Sequence, residues 1–510
     1  MSRHETPPAG FSTSLNAARR ERELDELTGA PQVDVLVIGG GITGAGVALD
    51  AASRGLSVAL AEKYDLAYGT SRWSSKLVHG GLRYLASGGL GIAYESAVER
   101  DILLRRTAPH LVRPFPQVIP LLPRVNGTVV HGGYLAGDAL RRFAGTSGQV
   151  LPHCRRISRT ETCRYVPTVR MDGLRGGILG WDGQLYDDAR LVVAVARTAA
   201  GYGARILTRC AAEQVTGTGA VLHDRLTGHR FDVAARTVIN ATGVWAGHVA
   251  PGVTLRPSRG SHLVFGADRF AGLNAGLTAP VPGERNRFVF ALPAPGGRVY
   301  VGLTDEATDT VPDVPAATDA EIDFLIDTIN TVLRVPVTRA DVRGSYAGLR
   351  PLLDDGDGRT ADLSRRHAVI TAPDGLVTVV GGKLTTYRRM AQDAVDTAVA
   401  HTGIDAGSCV TQRLPLVGAR GRFTGRVPET LRRRYGAEAH AVLTEASDAP
   451  ELLAPIADGF EVTGADLRFA VRHEGALDVA DLLDRRTRIG LVPADRERAL
   501  ASAEQALQAS

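Results

Sequence analysis

The sequence predicts an α/β fold: a Rossmann-like domain assembled from several separated stretches of chain, an antiparallel-sheet cap inserted between them, and a helical C-terminal domain. Three observations carry this. A glycine-rich strand-turn-helix-strand unit runs from Val33 to Lys63, two later β-branched strands stop at small-residue turns, and beyond about residue 410 the composition shifts to short helices rich in Ala, Arg and Leu. At 510 residues the chain is long enough for roughly two to four domains.

In chain order, residues 1–30 form an N-terminal extension without a hydrophobic signal core. Its "SLNAARRERELDELTGA" mixes Arg with Glu and Asp, which fits a solvated helix and a cytoplasmic protein. The segment "VDVLVIGGGITGAGVALDAASRGLSVALAEK" then alternates β-branched residues, turns through Gly39, Gly41 and Gly44, continues as an Ala-rich helix and re-enters a strand at Ser57 to Ala61. Glycines there permit a tight turn and bring backbone close to a pyrophosphate, and the helix N-terminus supplies N–H donors and a positive dipole. Glu62 follows Gly44 by 18 residues, where a carboxylate accepts hydrogen bonds from ribose hydroxyls. The unit is a dinucleotide site.

FAD and NAD both use such a unit, so the later segments decide. "ARTVINATGVWAG" ends a strand at Asn240 to Gly243, through Ala241 and Thr242, and "LVTVVGGKLTTYRRMAQDAVDTAV" ends another at Gly381 and Gly382 before a helix. Each return suits a ligand crevice at the carboxyl ends of a parallel sheet. Spread over some 350 residues, they describe one discontinuous domain around a long cofactor, which favours FAD.

Between these returns "RFVFALPAPGGRVYVGLTD" reads as two alternating strands joined by a Pro/Gly turn. "TDAEIDFLIDTINTVL" opens with a Thr318/Glu321 capping box before an apolar face at Ile322, Leu325, Ile326 and Ile329. The sequence divides into FAD-binding stretches 31–110, 185–258 and 345–408, cap stretches 111–184 and 259–344, and a separate helical domain 409–510. In that last part the Arg432 to Arg434 run reads as a solvated face.

Bulk composition excludes other classes. No uninterrupted apolar run of about 18 residues is present, so no spanning helix is expected. Four cysteines without a CxxC indicate neither a disulfide framework nor a metal site, and a formal charge of +4 only weakly favours anionic ligands or an anionic membrane surface.

Several motifs resemble one family. "IGGGITGAG", "SSKLVHGGLRYL", "SYAGLRPL", "GGKLTTYRRMA" and "FAVRHEGALDVADLLDRRTRIGL" are similar to those of FAD-dependent sn-glycerol-3-phosphate dehydrogenases, in family order from Val33 to Leu491. "SRWSSKLVHGG" resembles the actinobacterial members, although Arg72 and Trp73 stand where many members have small residues. Trp73 either stacks near the adenine or ribose side of the cofactor or packs against the cap, the preferred reading.

The resemblance implies a D-amino acid oxidase-like FAD and cap architecture. It assigns the grip on sn-glycerol 3-phosphate to Arg83, His262, Arg350, Arg365 and Lys383. FAD contacts are implied at Thr70, Ser71, Ser74, Ser75, Leu77, Gly80, Gly81, Leu384, Thr385 and Thr386, besides Ala241, Thr242, Gly243, Gly382 and Lys383. His79 either touches the flavin or packs against backbone. Cations converging on one pocket imply an anionic ligand, because buried unpaired charge is costly. The implied chemistry is hydride transfer from the substrate C2 to flavin N5 with His262, Arg350 and Lys383 as the catalytic set; His262 is either the base, the first choice, or a residue that only orients the substrate.

A membrane quinone, reached by peripheral attachment to the inner face of the cell membrane, is the implied acceptor; relatives of the same fold use oxygen. A homodimer through the C-terminal helices also follows at family level. Two rival readings are an FAD-dependent amine or hydroxy-acid oxidase and a flavin-bearing RNA-binding module. The sequence has no recognisable RNA-binding motif, so no nucleic acid is expected.

Overall fold

The computed structural model describes residues 10–81, 89–123, 125–284, 287–354, 366–421 and 426–509. Two sheets organise them. In the first, the strands run in the order Ala368–Thr371, Val377–Val380, Arg230–Asn240, Gln32–Ile38, Val58–Ala61 and Arg205–Leu207, with Gly219–Asp224 antiparallel on Arg230–Asn240 and Cys210–Thr216 antiparallel on Gly219–Asp224. Its four central strands pair in parallel, Ile38 opposite Asn240 and Ala61, so their carboxyl ends lie along one edge. The later returns of the chain therefore do rejoin the glycine-turn unit.

Period-two alternation explains how this sheet is covered on both faces. Val35, Val37, Val58 and Leu60 pack on the helices Ile42–Ser53, Asp188–Gly201 and Tyr387–Thr402, whereas Leu36, Ile38, Ala59 and Ala61 enter a second core. The small face of the first helix allows close approach: a β-carbon on Gly46 would lie 3.0 Å from the Tyr387 ring.

The second sheet runs Glu306–Ala307, Ser258–Gly266, Arg298–Gly302, Phe288–Ala294, Gly276–Pro280, Val112–Pro120, Gly177–Leu185 and Leu77–Val78, with Val342–Arg350 on Ser258–Gly266 and Arg155–Ile157 on Gly177–Leu185. It is antiparallel apart from the pairing of Gly276 and Leu277 with Gln117 and Val118, which is parallel. Leu77–Val78 and Val342–Arg350 each lie in the chain between a strand of the first sheet and a strand of the second; both belong to the second, and they carry the chain between the two. The Phe288–Ala294 and Arg298–Gly302 pair is the hairpin expected from its Pro/Gly turn. Across it lies the helix Asp319–Asn330, whose Thr318/Glu321 capping box makes both reciprocal bonds and whose Leu325, Ile326 and Ile329 are buried.

Two sequence expectations are corrected. Residues 17–29 are helical but not simply solvated: Leu24 and Leu27 enter the core, and Arg20 donates to the Thr208 carbonyl at 2.6 Å and to Asp224. The mixed charges of that segment hid a packed face, because its arginines find buried acceptors on neighbouring elements. Likewise Arg432 and Arg433 are exposed on Glu429, but Arg434 is buried, donating to Asp466 at 2.6 Å and to the Tyr186 hydroxyl at 3.1 Å.

The C-terminal helices, among them Glu429–Tyr435, Gly464–His473 and Pro493–Gln508, have their own apolar clusters. They are nevertheless joined to the first sheet's layer by buried ion pairs: Arg485 and Arg486 both meet Asp65, at 2.5 and 2.8 Å, and Glu474 meets Arg190 at 2.7 Å.

Candidate active site

The cofactor crevice is built from backbone first. Gly39 takes a left-handed φ of +107°, and a β-carbon there would lie 2.8 Å from the Ala241 carbonyl oxygen. At Gly44 a β-carbon would fall 1.8 Å from the Gly39 carbonyl oxygen. No other residue fits either place. Gly41 is the N-cap of the helix Ile42–Ser53 and supplies no capping side chain, so the first-turn N–H groups face the crevice with the helix dipole behind them. Ser71 closes the same turn by accepting the Ile42 N–H at 2.9 Å, and Thr70 donates to the Leu349 carbonyl at 2.7 Å.

Glu62 leaves the second strand beside this turn. Its two carboxylate oxygens accept the Gly40 and Tyr64 N–H groups at 2.6 and 2.7 Å, which aims the carboxylate along the crevice. Burial raises its pKa while those two donors oppose the rise. Ala241, Thr242 and Gly243 follow the adjacent strand; Asn240 accepts both the N–H and hydroxyl of Thr242 and so sets that turn. Gly382 to Thr386 follow the next, with Thr385 and Thr386 buried in a single 3₁₀ turn that runs straight into the helix Tyr387–Thr402. A glycine cradle, a helix N-terminus with glycine at its N-cap and a fixed carboxylate at the second strand are the donors and acceptors a dinucleotide needs. These residues fit FAD.

The opposite wall comes from the second sheet. Cross-strand register pairs Ser258 with Arg350 and His262 with Tyr346, so all four share one face. The His262 ring stacks on Tyr346 with centroids 4.7 Å apart, and a β-carbon on Gly302 would strike the imidazole at 2.1 Å, so only glycine admits it. Nε2 of His262 is hydrogen-bonded to the Ser75 hydroxyl at 2.8 Å, while Nδ1 is buried without a protein partner among the described residues. Burial, then the charges of Lys76 and Arg350, push its pKa well below the usual histidine value, so the ring is neutral. Arg350 is held in a fork by Asp305 and Ser258, both at 3.1 Å, and by the Thr304 carbonyl at 3.2 Å. Lys383 follows the strand Val377–Val380 of the first sheet, its ammonium on the Ser96 hydroxyl.

The segment quoted above as "SSKLVHGGLRYL" connects the two walls. Ser74 is turned to Asp188, which accepts both its N–H and its hydroxyl at 2.8 Å, whereas Ser75 faces His262. Leu77 lies in the second sheet, Gly80 donates its N–H to Asp182 at 2.9 Å, and His79 and Gly81 follow in the same loop. Trp73 packs near Tyr346, ring centroids 5.8 Å apart, as expected of a cap contact. Arg83 and Arg365 lie outside the described residues.

Sequence reasoning missed Asp188, Asp305, Tyr346 and the burial of Lys76. Only the Asp187–Asp188 pair opening a helix carried a visible signal, and it is indistinguishable there from ordinary capping.

Comparison with known proteins assigns the chain to a family. Residues 34–388 match the family model described as FAD dependent oxidoreductase, and residues 409–509 match the C-terminal domain of alpha-glycerophosphate oxidase. The protein is therefore an FAD-dependent oxidoreductase. It is 58% identical to glycerol-3-phosphate dehydrogenase 1 of Mycobacterium tuberculosis over 97% of this chain and 99% of that one. A mitochondrial glycerol-3-phosphate dehydrogenase of Arabidopsis thaliana is 33% identical over 93% of this chain and 82% of that one. Among solved structures, glycerol-3-phosphate dehydrogenase of Bacillus halodurans complexed with FAD superposes with a TM-score of 0.74 at 26% identity, covering 97% of this chain and 94% of that one. The chain belongs to the FAD-dependent glycerol-3-phosphate dehydrogenase family. Among the described residues no helix is long and apolar enough to cross a membrane, and no cluster of three metal-ligating side chains occurs.

Proposed function

We propose that the chain oxidises sn-glycerol 3-phosphate to dihydroxyacetone phosphate and passes the electrons to a membrane quinone. The full-length similarity to a mycobacterial glycerol-3-phosphate dehydrogenase carries this reading, and the shared face of His262 and Arg350 gives it a physical basis. In this reading the FAD stretches are 31–110, 185–258 and 345–408, the cap 111–184 and 259–344, the C-terminal domain 409–510 and the extension 1–30. Bound FAD supplies the two-electron acceptor for the C2 hydride.

The chain's own residues do the rest. Arg350 binds a phosphate oxygen through a guanidinium whose plane is set by Asp305, Ser258 and Thr304, and Lys383 adds a point charge. Arg83 and Arg365 are the further cations of the proposed grip. His262, neutral and hydrogen-bonded to Ser75 at Nε2, is the acceptor of the C2 hydroxyl proton at an imidazole nitrogen in this reading. Fixing the phosphate fixes the distance from the carbinol to this nitrogen, which lowers the barrier by orientation.

Peripheral attachment to the inner face of the cell membrane has support in the helix Gly127–Phe143. Val129, Leu135 and Phe143 are exposed along it, next to Leu90 and Tyr94 of the helix Leu90–Ile102. Its one carboxylate, Asp138, is turned inward to the Cys154 N–H at 2.8 Å, and the exposed Arg142, Arg156 and Arg175 flank the apolar face. An apolar face with a cationic rim suits an anionic lipid surface.

The alternative acceptor is oxygen, a reading favoured by the match of residues 409–509 to an oxidase C-terminal domain. One experiment separates these. Under anaerobic conditions sn-glycerol 3-phosphate is added to the flavin-loaded protein and the visible flavin absorbance is followed, after which a quinone analogue or oxygen is admitted. Bleaching reversed by the quinone supports the proposal; fast reoxidation by oxygen alone makes the protein an oxidase. Absence of bleaching overturns the substrate.

A further inference from the structure

Arg488 belongs to the C-terminal segment, yet it ends beside the loop that carries Ser75. Its backbone is left-handed, φ +60°, and it is 5% exposed. The guanidinium donates to the Arg72 and Asp484 carbonyls, forms an ion pair with Asp187 at 3.1 Å, and stands 4.0 Å from Asp188. Its own carbonyl accepts from Arg298 of the second sheet at 2.8 Å. Asp188 in turn accepts the Ser74 N–H and hydroxyl at 2.8 Å and meets the Lys76 ammonium at 3.3 Å. Lys76 too is left-handed, φ +56°, and its ammonium sits 4.2 Å from the centroid of Tyr346, the ring that stacks on His262. Ser75 is the residue between the two that Asp188 grips.

We infer that Arg488 is a positioning residue for the Ser75–His262 pair: the C-terminal segment, through Asp187, Asp188 and the Arg72 carbonyl, sets the loop that orients the imidazole. The loop adopts an unfavourable left-handed residue at Lys76 and tucks a lysine among aromatic rings, so it needs outside restraint. Arg488 supplies that restraint from the C-terminal segment, outside the proposed substrate grip.

The test is Arg488→Ala with two readouts. The first is modification of His262 by diethyl pyrocarbonate, followed by peptide mass spectrometry, with the exposed His229 as internal control. His262 is expected to react about tenfold faster in the variant, His229 at the same rate. The second is the KM-against-kcat split with sn-glycerol 3-phosphate at equal flavin loading: kcat falls about 100-fold with KM within about threefold, and added guanidinium restores part of kcat. The second readout rests on the proposed substrate; the first does not. If the wild type is not reduced by sn-glycerol 3-phosphate, that reading fails while the histidine rates still decide the role of Arg488. Should Arg488→Ala not fold, Asp187→Asn removes the ion partner alone and is expected to move both readouts in the same direction by a smaller factor. Unchanged His262 reactivity in the folded variant overturns the inference, as does a kcat loss that guanidinium leaves untouched.

Discussion

His262 shows how one residue type becomes two different groups in two environments. An exposed imidazole titrates near pH 6.5. This one is 2% exposed beside Lys76 and Arg350, and both burial and charge oppose its protonation. The acid limb of kcat/KM due to His262 is therefore expected well below pH 6.5 in a pH-rate profile. Stability follows the same sign: below about pH 6.5 the unfolded chain takes up a proton that the folded ring refuses, so stability is lost as pH falls through that value. His262→Asn should lower kcat by about 100-fold or more in steady-state assays with flavin loading unchanged, and a loss under about tenfold would move the base elsewhere. At Gly44 the argument is steric. Gly44→Ala drives a methyl into the Gly39 carbonyl, and the expected outcome is a protein that no longer retains FAD through gel filtration.

At the scale of elements, the cap helix Asp319–Asn330 couples folding to the site. Glu321 completes its capping box and at the same time accepts from Ser261 at 3.0 Å, Thr304 at 2.7 Å and Arg259 at 2.9 Å. Thr304 is the residue whose carbonyl holds Arg350. Thr318→Ala removes one cap and should cost about 1 kcal/mol in urea unfolding. Glu321→Ala should cost more, and should also raise KM for sn-glycerol 3-phosphate, because Ser261, Thr304 and Arg259 lose their common acceptor. The helix Gly127–Phe143 has a different test. Leu135→Glu with Phe143→Glu should lower sedimentation with anionic vesicles by about tenfold while leaving anaerobic flavin reduction by substrate intact.

Over the whole molecule, the ties between the C-terminal helices and the first sheet are ionic and buried. Asp65 sits between Arg485 and Arg486, whose charges outweigh the cost of burial and hold its pKa below the ordinary carboxylate range. A carboxylate of this kind stabilises the fold fully above the unfolded value near pH 4 and loses that contribution as pH falls below it. Asp65→Asn leaves the buried Arg486 without its carboxylate partner and Arg485 with Asp481 in place of two acids, for an expected loss of about 3–5 kcal/mol at neutral pH. Denaturation between about pH 3 and pH 5 should show a shallower acid slope in the variant than in the wild type, since the titrating group is gone.

The sequence by itself determined the dinucleotide turn, the returns of the chain to one sheet, the capping box at Thr318, and the family motifs with His262, Arg350 and Lys383 among them. These are local patterns: glycine spacing, strand alternation and turn chemistry depend on neighbours within a few residues. Only the tertiary structure decided that Ser75 meets His262 from 187 residues away, that Asp305 orients Arg350, that the charged N-terminal helix buries a face, and that Arg434 leaves an apparently solvated run. A charged side chain reads as solvated until its partner is known, and the partner comes from a distant segment whose position is set by packing of the whole chain. Burial also decided the protonation of His262, because desolvation is a property of the closed fold and is written in no short stretch of residues.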